Sequence, residues 1–148
     1  MKKILVLLLL VMFGITSNAF ADKTVTCKTG TGSTFTVVVP DGWVSQPVEG
    51  GCVIAKNDKS KHFISISYYK NNKLNAKQFA ELLCKTLNVT PKYLTHEDSY
   101  TSMLVKRDGL EVRIGIAGEG EGKDEVVQVV TQYPEESEEL DKIFDSVN

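Results

Sequence analysis

Among the residues of this 148-residue chain, three cysteines and two histidines carry the chemistry that reaches furthest beyond packing. A cysteine supplies a nucleophile, a metal ligand or half of a disulfide, and a histidine an acid, a base or a ligand near neutral pH. In an oxidising compartment the odd count allows one disulfide, with one cysteine left over. Cys27 and Cys52 both fall in or beside expected strands and are the expected pair. Such a bond would close a loop of about 25 residues, worth about 3 kcal/mol in the chain-entropy account. Cys84 falls near the apolar face of an expected helix, where a free cysteine packs as a small hydrophobe.

His62 opens an expected strand without an adjoining acid or cysteine. His96 precedes Glu97 and Asp98, a cluster that joins a divalent-cation site only if other ligands converge on it, and is otherwise solvated loop charge. Trp43, Tyr68, Tyr69 and Tyr100 are the aromatic candidates for a recognition surface. Of these, Trp43 follows a turn and is expected to fold its ring back into the core. Tyr69, at a strand end beside Lys70-Asn71-Asn72-Lys73, is the better surface candidate. Tyr69, Trp43 and His96 are therefore carried forward as binding candidates.

Other motifs fall short of a chemistry. No serine stands in Gly-x-Ser-x-Gly. The segment Gly118-Glu119-Gly120-Glu121-Gly122-Lys123, with Asp124 and Glu125, alternates glycine and acid, without the spaced Asp/Asn ligands of a calcium loop. It also lacks the Lys-Ser/Thr pair of a phosphate cradle, and an acidic hairpin tip is the expectation. No catalytic residue, metal site or cofactor is assigned.

The elements that would position these residues follow from periodicity. Thr34 to Val39 alternates and stops at Pro40-Asp41-Gly42, which predicts a strand and a turn. Cys52 to Lys56 and His62 to Tyr69 predict two more strands around a loop at Asn57-Asp58-Lys59-Ser60. The period then changes: Ala76, Phe79, Ala80, Leu83 and Leu87 form one helical stripe, Asn75 and Gln78 a capping box, and Asn88 a C-terminal cap before Pro91. Tyr93 to Arg107 is extended, Asp108-Gly109 is a two-residue hairpin signal, and Leu110 to Ile116 alternates. Val126 to Tyr133 predicts a last strand. Leu140, Ile143, Phe144 and Val147 predict a terminal amphipathic helix whose four apolar residues face the sheet, behind an exposed glutamate-rich start. The order β-β-β-α-β-β-β-α gives an α+β fold, an antiparallel sheet of about six strands flanked by two helices.

Met1-Lys2-Lys3, the apolar run Ile4 to Phe13 and Ala19-Phe20-Ala21 have the form of a cleavable secretory signal, residues 1–21. Residues 22–148 are then expected to form a single domain in the periplasm, without membrane insertion after cleavage, although secretion to the medium uses the same signal. The 17 basic residues include Lys2 and Lys3, so the mature chain keeps 15 against 19 acidic ones, a net charge of −4. That balance favours neither nucleic acid nor an anionic membrane as partner.

The segment Phe35-Thr36-Val37-Val38-Val39-Pro40-Asp41-Gly42-Trp43, followed by a hairpin, a helix, three strands and a terminal helix, resembles the PsbP-like superfamily, which includes Mog-type proteins. The resemblance covers roughly Thr34 to Val147. It implies an α/β/α sandwich around an antiparallel sheet, and members that act as assembly, docking or accessory proteins. The functional expectation is a non-enzymatic periplasmic protein that docks another envelope protein, an immunity or inhibitor protein being a narrower form. The rival expectation is a small-ligand or metal carrier, or a hydrolase with dispersed catalytic residues.

Overall fold

The computed structural model describes residues 22–60, 62–70, 73–118, 125–132 and 138–148. The expected signal, most of the glycine- and acid-rich segment, and Tyr133 to Glu136 lie outside the described residues. Two strands come first, β1 (Lys23–Lys28) and β2 (Thr34–Val39), paired antiparallel as a separate ribbon. Then come β3 (Trp43–Val48), β4 (Gly51–Lys56), β5 (Phe63–Lys70), helix α1 (Ala76–Leu87), β6 (Lys92–His96), β7 (Tyr100–Arg107), β8 (Leu110–Ala117), β9 (Glu125–Gln132) and helix α2 (Glu138–Asp145). The main sheet runs β3-β4-β5-β9-β8-β7-β6, antiparallel throughout. The α+β class and the antiparallel pairing agree with the expectation. One sheet of about six strands does not: the strands divide between a ribbon of two and a sheet of seven.

The difference has local causes. β3 carries Pro47 and mixes apolar with polar residues, so it gives no period-two signal; Pro47 is tolerated because β3 is an edge strand. In β1 Cys27 alone is buried, which leaves no alternation to read. The extended stretch Tyr93 to Arg107 breaks into β6 and β7 around Glu97–Ser99, where the Glu97 N–H donates to Tyr100 O at 3.0 Å.

Helix α1 begins and ends where its sequence indicates. The Asn75 side chain accepts from the Gln78 N–H at 2.8 Å, and the Gln78 side chain accepts from the Asn75 N–H at 3.1 Å. Asn88 closes the helix in the left-handed region at φ 54°. Asp108 and Gly109 both take positive φ, 52° and 78°, the two-residue turn that fits the twist of β7 and β8. Gly51 has a separate reason: a Cβ there would sit 1.8 Å from Ile66 O, so only glycine lets β4 approach β5.

Two cores lie on opposite faces of the sheet. The first, under α1, joins Phe79, Ala80, Leu83 and Leu87 to Phe63 of β5, Met103 and Val105 of β7, and Val112, Ile114 and Ile116 of β8. The second joins Ile54, Ile64 and Ile66 of β4 and β5 to Phe35, Val37 and Val39 of the ribbon, Trp43, and Leu140 and Ile143 of α2. Burying each such side chain contributes about 1.5–3 kcal/mol.

The terminal helix departs from its expected stripe. Leu140 and Ile143 are buried and Val147 packs against them, but Phe144 is 51% exposed. The helix stops at Asp145, and the chain then pairs with β2: Thr36 N–H donates to Asn148 O at 2.9 Å and Asn148 N–H to Thr36 O at 3.1 Å. That pairing fixes the helix roll so that the Leu140–Ile143 row faces inward, and Phe144, about 100° further round, turns outward.

Candidate functional site

The expected surface residue Tyr69 is buried, 8% exposed, in the first core. Its ring stacks on Phe79 with centroids 6.3 Å apart and lies under the Gly50 turn, where a glycine Cβ would come within 3.0 Å of it. Burial raises its phenol above the ordinary value. Tyr69 is therefore corrected from surface to core; the β3–β4 turn that covers it belongs to a strand with no sequence signal. The hydroxyls of Ser65, Ser67 and Tyr69 lie buried on this side of β5, with those of Ser67 and Tyr69 beside each other.

Trp43 is fully buried in the second core, as its position after the turn implies, and so offers no recognition surface. Its Nε1–H donates to Glu139 Oε2 at 2.6 Å, and Lys56 Nζ donates to Glu139 Oε1 at 3.0 Å. The Trp43 hydrogen bond, followed by that of Lys56, holds the Glu139 carboxyl below its ordinary value, and the same bond raises Lys56. Asp58 lies 3.9 Å from Lys56 Nζ, and His62 is close enough for its charge to lower both carboxyls. His62 thus has acids beside it in the fold. They come from the preceding loop and from α2, and the second could not be read from adjacent sequence. Chemically this cluster is a tie: Glu139, expected as solvated charge at the helix start, anchors α2 to β3 and β4.

His96 ends β6, its ring stacked on Tyr93 at 3.8 Å and 6°. Its Nε2 lies 3.5 Å from Glu81 Oε1 of α1. The partner acid is thus Glu81, while neighbouring Asp98 uses its carbonyl to accept the Ala76 N–H at the start of α1. Among the described residues no group of three or more His, Cys, Asp or Glu side chains is placed to hold a metal ion.

Cys27 and Cys52 are both buried in the second core, with thiols that hydrogen-bond to each other across the gap between ribbon and sheet. That hydrogen bond lowers Cys27, whereas Cys52 is pushed far up by it, by burial and by the neighbouring charge. Cys84 is buried against Met103, Sγ to Sδ 3.4 Å, and burial pushes its thiol up to about 11.

Alternation places Tyr100, Ser102 and Leu104 of β7 and Arg113, Gly115 and Ala117 of β8 on the sheet face opposite α1. The ribbon and α2 pack over β3, β4 and β5, whereas on the other half of the face Ser102 is buried but Tyr100 and Ala117 are exposed. Tyr100 lies over Gly115, its Oη 3.4 Å from where a Cβ would stand, and is 42% exposed. Leu94, at the register shift of β6, is equally exposed. Lys106 at one end of the face pairs with Glu111 at 3.6 Å. Sequence reasoning had Tyr100 among its aromatics; which strand face it would occupy depended on the β6–β7 break.

Compared with known protein families, the chain matches no family model, and a comparison with curated proteins finds no match either.

Proposed function

We propose that this chain is an exported, non-enzymatic accessory protein that docks another protein of the envelope through the half-face formed by β6, β7 and β8. The observation that carries the reading is the uneven cover of the sheet. α1 covers one face, and on the other the ribbon and α2 cover β3 to β5, while Tyr100 and Leu94 stay exposed beyond them. A large aromatic and an aliphatic beside Arg113 and Lys106 have the mixed character of protein interfaces, where Tyr and Arg are enriched. Export to the periplasm rests on the pattern of residues 1–21. The resemblance to the PsbP-like superfamily supports the accessory role, and helices on both faces of an antiparallel sheet suit its sandwich.

A photoreactive residue placed at position 100 and, in a second chain, at position 85 on α1 tests the proposal in intact cells. The expected result is one discrete adduct from position 100 and none from position 85. Identical adduct patterns from both positions, or none from position 100, would contradict it.

A further inference from the structure

We propose that Cys27 and Cys52 form a reversible thiol–disulfide clasp that locks the β1–β2 ribbon onto the main sheet. The ribbon is a separate two-stranded sheet, so no ladder of backbone bonds continues from it into β3 or β4. It is seated by Phe35, Val37 and Val39 on Ile54 and Ile66, with a backbone bond from Gly30 N–H to Tyr68 O at 2.7 Å at its turn. β1 crosses β4, and Cys27 and Cys52 meet at that crossing with their thiols in hydrogen-bond contact. A covalent bond here would join the ribbon to the main sheet, two layers that the sheet ladder leaves unjoined.

The oxidant required is a disulfide, small or carried by a protein. The Cys27 thiolate attacks one sulfur of that disulfide and expels the other as a thiolate, giving a mixed disulfide. Cys52 then loses its proton and attacks Cys27 Sγ, expelling the second thiolate. The two cysteines are oxidised, the incoming disulfide is reduced to two thiols, and the cysteine protons end on those thiols or in solvent. Cys27 sits on the ribbon, the layer that opens, and its lowered thiol suits it to attack, while Cys52 on the main sheet resolves. Because both are buried, exchange proceeds through openings of the ribbon, and the closed bond suppresses those openings.

The test uses the full mature chain, wild type and Cys52→Ala, equilibrated with reduced or oxidised glutathione. Oxidised wild type should lose two hydrogens in intact mass, and unreduced peptide maps should join Cys27 to Cys52 with Cys84 alkylated only after unfolding. Limited trypsin cleavage at Lys28, the exposed end of β1, should slow about tenfold or more on oxidation of wild type, and not in Cys52→Ala. Cleavage at Lys85, on α1, serves as the control and should not change. A bond that includes Cys84, or thiols that stay reduced in oxidised glutathione, would overturn the clasp. A Cys27–Cys52 bond that left Lys28 cleavage unchanged would overturn its hold on the ribbon.

Discussion

The two cores sit on one sheet and are built in different ways. The first is closed by a single twelve-residue helix whose start, stripe and stop are all written within Asn75 to Asn88. The second is closed by pieces far apart in the sequence, the ribbon and the eight-residue α2, and is stitched by polar contacts: Trp43 and Lys56 to Glu139, Val38 N–H to Ser146 Oγ at 2.9 Å, Thr36 to Asn148. Local signals make the helix that closes the first core readable. The second depends on contacts between residues about a hundred positions apart, so its stability should respond to single polar bonds as well as to packing.

The largest effect expected from breaking the second core is at Trp43, which combines a buried ring with the Glu139 bond. Trp43→Ala should lower stability by about 3–5 kcal/mol in urea unfolding, a large part of the about 5–15 kcal/mol that holds a typical domain. Next come the two apolar residues of α2 that point opposite ways. Ile143→Ala should cost about 2–5 kcal/mol, while Phe144→Ala, at an exposed position, should stay within about 0.5 kcal/mol. Equal urea midpoints for those two variants would mean that α2 is rolled differently on the sheet.

In the first core the sharpest local test is the cap. Asn75→Ala removes the acceptor for the Gln78 N–H and should cost about 0.5–2 kcal/mol. The smallest expected effect is on pH dependence. Glu139 is held below its ordinary value of 4.5 in the folded chain, so the stability it contributes is present above that pH and is lost as pH falls through the lower folded value. Taken from about pH 6 to about pH 3.5, wild type should lose more stability in urea than Glu139→Gln does. Parallel losses in the two proteins would show that the tie contributes nothing through its charge.

Much of the fold was legible where the period and the turn chemistry are local. α1, the Asp108-Gly109 hairpin and the strands β2, β4, β5, β8 and β9 all stand within a residue or two of their expected places. The ribbon partner β1 and the edge strand β3 were not, since one exposes most of its residues and the other carries Pro47. Missing β3 also hid the turn that buries Tyr69, and a four-residue apolar stripe on so short a helix could not say which side faces in. The site residues were legible in type and less so in place. Cys27 and Cys52 meet, but His96 finds Glu81 and Glu139 finds Trp43, pairings set by tertiary approach that no spacing in the chain encodes.

The claim that matters most is that the half-face of β6, β7 and β8 is where a partner docks, and co-purification from envelope extract with paired variants tests it directly. Tyr100→Ser with Leu94→Ser should abolish recovery of the partner cross-linked through position 100, with a urea midpoint close to that of wild type. Leu82→Ser, an equally apolar exposed change on α1, should leave recovery intact. Undiminished recovery by the folded Tyr100→Ser, Leu94→Ser protein would contradict the account.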